Sequence, residues 1–288
     1  MYRHDRYNAA VDQPSLPIAP AAPPIDWNAM AASFDRWVPY IQPVADRLIE
    51  LLDPRAGQRV LDVACGTGEP ALSIARRFGP RVTVTGVDSA EAMVERSRTK
   101  AADESLTGVT FRVMPGERLD LPDASVDRVV CRFGLMLFDD PVSGAREMWR
   151  VLKPGGRVAI AVWGPLPQLT SVHTVWRLLA DYLPPADLPP EPRMVSLGAP
   201  GALARVLTAA GWSGARIEPF TVTYRFPTPL DYWDLSADSP LWKDVFAKMS
   251  CHAQVAFKAR ALAEIARFRD GDGIALPNQA LLAVADKP

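Results

Sequence analysis

Short, nearly continuous apolar runs alternate along this chain with stretches whose apolar residues recur every three or four positions. Val60, Leu61, Val63 and Ala64 make the first run, and unbroken apolar character over so short a length suits a strand buried on both faces of a parallel sheet. Ala71, Leu72, Ile74, Ala75 and Phe78 follow at helical spacing, with Pro70 suited to a first helical turn. The alternation continues, predicting strands over residues 82–87, 109–114, 126–133 and 157–163, a helix N-capped by Ser89 and another over 143–152. Lys153-Pro-Gly-Gly156 reads as the turn into the fifth strand. Strand and helix in regular succession predict an α/β fold built on a parallel sheet.

The flanks follow other rules. Trp27, Met30, Phe34, Trp37 and Ile41, then Val44, Leu48, Leu51 and Leu52, predict N-terminal capping helices over 25–56, broken in two by Pro39 and Pro43. Residues 1–24, with prolines at 14, 17, 20, 23 and 24, cannot build a packed core and read as a disordered or extended tail. Beyond the fifth strand, 165–200 holds a helical piece at 169–183 and a proline-rich run, and 201–210 is a helix stopped by Gly211. Residues 215–226 and 274–284 are the last strands. The connection between them, 227–273, bears helical runs at 230–235 and 241–268; connections of that length are commonly functional. Together with 165–200 it reads as a lid. The sheet core then comprises 57–164, 201–226 and 274–288.

Composition narrows the partners. The 288 residues are 48% hydrophobic and 23% charged with a formal net charge of -1, ordinary for a globular protein and without the basic footprint of a nucleic-acid or anionic-membrane binder. Cys65, Cys131 and Cys251 are too few and scattered for a disulfide framework, which points to a reducing, cytoplasmic compartment. No apolar stretch is long enough to span a bilayer, and Arg3, His4, Asp5 and Arg6 lead into no apolar signal segment.

The chemistry concentrates after the first strand. Gly66 and Gly68 permit positive φ and close approach of a ligand to backbone N–H groups at a helix N-terminus, and Asp88, twenty residues on, stands at the tip of the second strand, placed to accept from two ribose hydroxyls. Gly66, Gly68 and Ala71 satisfy a dinucleotide fingerprint only loosely. Asp62 in the strand and Glu69 at the mouth of the turn would repel a pyrophosphate and attract a cation, against a nicotinamide-dependent oxidoreductase.

Asp62-Val-Ala-Cys-Gly-Thr-Gly68 closely resembles motif I of the class I S-adenosylmethionine (SAM) methyltransferases, whose ligand carries an ammonium and a sulfonium. Cys131-Arg-Phe-Gly-Leu-Met-Leu-Phe-Asp-Asp-Pro141 and Val151-Leu-Lys-Pro-Gly-Gly-Arg-Val158 resemble later motifs of the family, most of all its quinone-methylase-like branch. The resemblance implies a Rossmann-like, seven-stranded, mostly parallel sheet with an antiparallel last strand, helices on both faces and a helical lid insertion. It implies SAM as cofactor, S-adenosylhomocysteine as product, and a small-molecule acceptor methylated at oxygen, nitrogen or carbon. It assigns the cofactor to Asp62, Ala64, Gly66, Thr67, Gly68, Asp88, Ser89, Met93, Arg132 and Phe133, the last two close to the acceptor as well. Where the family has a Gly-Asp-Ala step, Pro115 stands in place of the Asp, so Gly116 and Glu117 become the candidates for the adenine edge. Pro115 also admits a catalytically silent SAM-binding scaffold. Phe34, Trp37, Tyr40, Trp163 and Trp233 are the candidates for the acceptor pocket, whose aromatic character predicts an apolar or aromatic substrate. His173 and His252 lie in the expected lid and are the candidate bases; with His4 they show no metal-ligand spacing. A homodimer is an assembly open to such a chain.

Overall fold

A computed structural model, which describes residues 25–288, turns this alternation into one mixed sheet flanked by helices. The expected tail over 1–24 lies outside the described residues. The strands are β1 (Arg59–Val63), β2 (Thr83–Asp88), β3 (Val109–Val113), β4 (Val126–Arg132), β5 (Leu152–Trp163), β6 (Arg216–Phe226), the two-residue β7 (Arg269–Asp270) and β8 (Gly273–Asp286). Their spatial order is β3-β2-β1-β4-β5-β8-β6, with β7 attached to β8. β1 to β5 pair in parallel and β8 runs antiparallel between β5 and β6. The seven-stranded architecture is therefore observed, with β7 as the addition.

The helices are α1 (Trp27–Phe34), α2 (Val38–Leu52), α3 (Ala71–Phe78), α4 (Glu91–Asp103), α5 (Pro141–Val151), α6 (Thr170–Trp176), α7 (Ala202–Ala209), α8 (Pro229–Ser236), α9 (Pro240–Ala247) and α10 (Cys251–Ile265). From β1 the chain moves one way along the sheet through β2 to β3, and from β4 it moves the other way to β5. Right-handed crossovers consequently place α3 and α5 on opposite faces. α2 shares the face of α3, because Gln42 Nε2 donates to Ser73 Oγ and Arg77 pairs with Asp46.

Three local expectations change. α2 is no cap: Val44, Ala45, Leu48 and Leu52 are wholly buried and the helix packs across β4, β5 and β6. The break from α1 falls at 35–37, ahead of the prolines. Pro39 sits in the first turn, where a missing N–H costs nothing, and Pro43 stays inside α2 on its exposed side. The turn expected at 153–156 is taken into β5 as an irregularity, with Gly155 at φ 74° donating its N–H to the Lys287 carbonyl.

β6 and β8 overhang the carboxyl edge of the parallel strands. Pairing of β5 with β8 ends at Trp163↔Ala280, whereas β6 stays paired to β8 as far as Phe226↔Ile274. Residues 165–200 and 227–273 gather on this overhang: α10 packs on α6 and α8, Ser171 donates its N–H and hydroxyl to Asn278 Oδ1, and the Tyr232 hydroxyl donates to the Ser171 carbonyl.

Because Leu48 is wholly enclosed between α2 and the sheet, Leu48→Ala is expected to cost about 3 kcal/mol. Urea unfolding should show a lower midpoint at an unchanged slope, while Val113→Ala, at a half-exposed position, should leave the midpoint where it is.

Candidate functional site

The strand order reverses between β1 and β4, and a ligand crevice belongs at the carboxyl ends of those two strands. Both ends are tightly built. Ala64 (φ 56°) and Phe133 (φ 60°) hold left-handed backbone, which costs a residue with a side chain about 1–2 kcal/mol. A Cβ on Gly134 would lie 2.4 Å from the Ala64 Cβ, so the two turns are packed directly on one another. Gly66 (φ 54°) and Gly68 (φ 109°) complete the first turn.

The acidic groups around this turn divide their work. Asp62 is wholly buried on β1; Oδ2 accepts from the Ala71 N–H at 2.9 Å and Oδ1 has no partner. Burial pushes its pKa up to about 8, only partly opposed by the Ala71 N–H and by Arg132. Glu69, expected to charge the mouth of the turn, faces into α3 instead. Its Oε2 accepts from the Ser73 N–H and hydroxyl and its Oε1 from Arg76, so its charge is answered within α3 and does not stand at the mouth of the turn. Asp88 sits at the tip of β2 with Oδ2 accepting from Gly66 N–H and Oδ1 from Ala90 N–H, each at 2.9 Å. Burial raises its pKa against these bonds. The capping expected of Ser89 is not made: Ser89 is exposed, and in the first turn of α4 the Ala92 N–H donates to the Asn28 side chain instead. An unpartnered buried carboxylate oxygen, a glycine cradle and a carboxylate at the next strand tip fit a nucleoside bearing a cationic tail.

At the end of β4, Arg132 is 7% exposed, and its Nε and Nη1 find no partner. Burial lowers its pKa, with Asp62, Glu69, Tyr224 and Asp46 as the groups pulling it back up. Phe133 stacks on Trp163, centroids 4.0 Å apart. Trp163 meets Tyr224 edge-on at 6.4 Å, and Tyr224 lies 6.2 Å from Trp37 and 5.6 Å from Tyr40, whose ring stacks on Phe226 at 4.6 Å.

α1 roofs the glycine turn. Phe34 lies 3.6 Å from where a Gly66 Cβ would stand, Met30 and Ala31 pack on Ala90 and Met93, and the Asn28 side chain accepts from the Ala92 N–H. Asp35 pins the end of this helix, accepting from Thr67 Oγ1 (2.6 Å), Arg96 Nε (2.7 Å) and Lys100 Nζ (3.0 Å). Burial works against its charge, but these bonds outweigh it and hold the carboxyl below its ordinary range.

Asp62, Ala64, Gly66, Thr67, Gly68, Asp88, Arg132 and Phe133 thus meet at one crevice, with Trp37, Tyr40 and Trp163 beside it. Phe34 covers the glycine turn and not the aromatic group. Met93 is buried under α1. Gly116 packs beneath Phe138, and Glu117 Oε1 accepts from the Asp140 N–H. Trp233 is not brought to the site, since it stacks on Phe246 within the insertion. His252 is exposed in the first turn of α10 and His173 half-buried on α6; neither imidazole has a hydrogen bond or ion pair among the described residues. Tyr224 and Asp35 escaped the sequence reading. The period-two pattern Val222, Tyr224, Phe226 marked one of them as inward-facing, and nothing local marked the other. Among the described residues no cluster of His, Cys, Asp and Glu could hold a metal ion, and no helix is long and apolar enough to cross a membrane.

Residues 60–156 match the family described as a methyltransferase domain. Nocamycin O-methyltransferase of Saccharothrix syringae is 36% identical over 189 residues, which cover 62% of this chain and 68% of that protein. A ubiquinone/menaquinone biosynthesis C-methyltransferase of Geobacter sulfurreducens is 47% identical over 105 residues, 36% of this chain and 41% of that relative, so the chain spans less than half its length. In structure, Haemonchus contortus phosphoethanolamine N-methyltransferase 2 in complex with S-adenosyl-L-methionine aligns with a TM-score of 0.59 over 92% of this chain and 60% of that one; at 18% identity it speaks for the fold.

Two outcomes follow from the geometry. Gly134→Ala should lower the melting temperature, at a cost of about 1–3 kcal/mol, because the Ala64 methyl it meets has no rotamer to escape into. Asp62, with its folded pKa raised from 3.8 to about 8, binds its proton more tightly in the folded chain, so its contribution to stability is present below about pH 4 and is lost as pH rises towards about 8. The melting temperature of Asp62→Asn relative to the unsubstituted protein should therefore climb across that window, as a thermal melt series would read.

Proposed function

This chain belongs to the class I SAM-dependent methyltransferases, in their quinone-methylase-like branch, and we propose that it moves the methyl group of SAM by in-line displacement to a small, apolar or aromatic acceptor. The observation carrying this reading is the wholly buried Asp62 with one unpartnered oxygen beneath the Gly66–Gly68 turn. A cation arriving beside it would restore the charge that burial alone suppresses.

In this reading Asp62 faces the ammonium of the cofactor, the backbone of Ala64, Gly66, Thr67 and Gly68 cradles its amino-acid end, and Asp88 accepts from the ribose hydroxyls with the lone pairs that Gly66 and Ala90 leave free. Met93 and the loop through Gly116 border the base, and Glu117 serves there through its backbone, its carboxylate being committed to Asp140. Bound SAM supplies an electrophilic methyl carbon on a sulfonium, a good leaving group that departs with the S–C bonding pair. What the protein adds is alignment and exclusion of water. Phe133 and Trp163, stacked on the rim between turn and aromatic group, would set the line of attack; Trp37 and Tyr40 would wall the acceptor, and the segments 165–200 and 227–273 would close over it. The O-methyltransferase and C-methyltransferase names of the relatives support a small-molecule acceptor and leave the accepting atom open.

Calorimetric titration with SAM, S-adenosylhomocysteine and NADH tests the reading: the two sulfur nucleosides should bind and NADH should not, and binding of NADH alone would overturn it. Asp88→Asn, which puts a donor where the ribose needs an acceptor, should weaken S-adenosylhomocysteine binding by roughly ten- to a hundredfold.

A further inference from the structure

Arg132 carries an unanswered charge. Its guanidinium is buried at the end of β4 with Nε and Nη1 unpartnered, an arrangement that is expensive unless an anion completes it. Three carboxylates lie close enough to influence it, yet none bonds it, and Asp62 even keeps one oxygen unpartnered beside it. Asp62 bonds the Ala71 N–H, Glu69 serves Ser73 and Arg76, and Asp46 serves Gln42 and Arg77. Beside it on the overhanging β6, Tyr224 is 4% exposed and its hydroxyl has no hydrogen-bond partner among the described residues. The rings of Trp37, Tyr40 and Trp163 enclose that phenol. Burial raises its pKa, so it is a donor and not a base; Arg132 is the cation that acts on it.

We infer that Arg132 and Tyr224 form an oxyanion subsite that receives the ionised hydroxyl of a planar, acidic acceptor, an enol or a phenol, between the rings of Trp37, Tyr40 and Trp163. Two buried donors and flat apolar walls match a delocalised oxyanion on a ring better than an ammonium or a neutral amide. An acceptor held in this form needs no general base, so neither His173 nor His252 is called on. The acceptor oxygen supplies the pair that forms the new O–CH3 bond, the S–CH3 pair stays with sulfur, and no proton remains to be moved. The inference deepens the methyl-transfer reading and rests on it for the identity of the reaction, though not for the binding of the anion.

The test uses the full chain saturated with S-adenosylhomocysteine and titrated with 2-hydroxy-1,4-naphthoquinone, an enol ionised at neutral pH, and with its neutral 2-methoxy ether, read by quenching of tryptophan fluorescence. The anion should bind at least about tenfold more tightly than the ether. Tyr224→Phe should cut that preference severalfold and Arg132→Gln should abolish it, both with S-adenosylhomocysteine affinity intact by calorimetry; should Arg132→Gln fail to fold, Tyr224→Phe decides alone. Equal affinity for the two probes, no binding of the anion, or loss of S-adenosylhomocysteine affinity in Arg132→Gln would overturn the inference, the last by giving the guanidinium to the carboxylate of the cofactor. If the unsubstituted protein binds no S-adenosylhomocysteine, the methyl-transfer reading fails separately, and the preference between the probes without nucleoside still decides the subsite.

Discussion

The close approach of two backbone turns, one leaving β1 and one leaving β4, is the constraint on which the rest of this structure depends. Ala64 and Gly134 touch there, and Ala64 and Phe133 are held in left-handed backbone that neither residue would choose in isolation. The parallel pairing of β1 with β4 and the buried apolar side chains of β1, β4 and β5 around them supply the force that keeps them in place. In return, the strained turns put the Gly66–Gly68 backbone and the Phe133 ring on either side of one crevice. Strain of this kind gathers where a ligand must be met by a fixed geometry.

A second imbalance sits underneath. Asp62 and Arg132 are buried near each other without bonding to one another, one with a free oxygen and the other with free N–H groups. A core built only for stability would have closed that gap into an ion pair or replaced both residues with apolar ones. The protein instead spends Glu69 and Asp46 on α3, where they tie the helix to its neighbours, and leaves the two groups nearest the crevice incomplete. The folded state is thereby less stable when empty, and the deficit is available to whatever completes it.

Much of the fold was legible because residues 60–63 of β1, 129–131 of β4 and 158–163 of β5 are nearly continuous apolar stretches, the pattern of a strand buried on both faces. The glycine turn and Asp88 were legible because their spacing follows from one strand, one helix and the next strand. What escaped reading depends on which partner each side chain takes in the folded chain. The aim of Glu69 is set by Ser73 and Arg76 on the helix it begins, so its charge never reaches the mouth of the turn. Trp233 looked like a pocket residue by type, yet α9 and α10 enclose it, stacking it on Phe246 and setting it at a tilt against Phe257. Tyr224 reaches Trp37, Tyr40 and Trp163 only because β6 outruns β5, a length difference visible in the pairing of β8 and not in the local alternation of β6.

The fastening of α1 joins two parts of the crevice. Asp35 ties its end to Thr67 and α4, Arg36 next to it reaches the Asp234 carbonyl in α8 and Asp238 just past it, and Trp37 begins the wall of the aromatic group. One short segment thus belongs to both compartments of the crevice. It cannot swing away from the glycine turn without disturbing the aromatic wall. The two compartments are therefore fastened through the same three consecutive residues, and the bonds at Asp35 hold both shut.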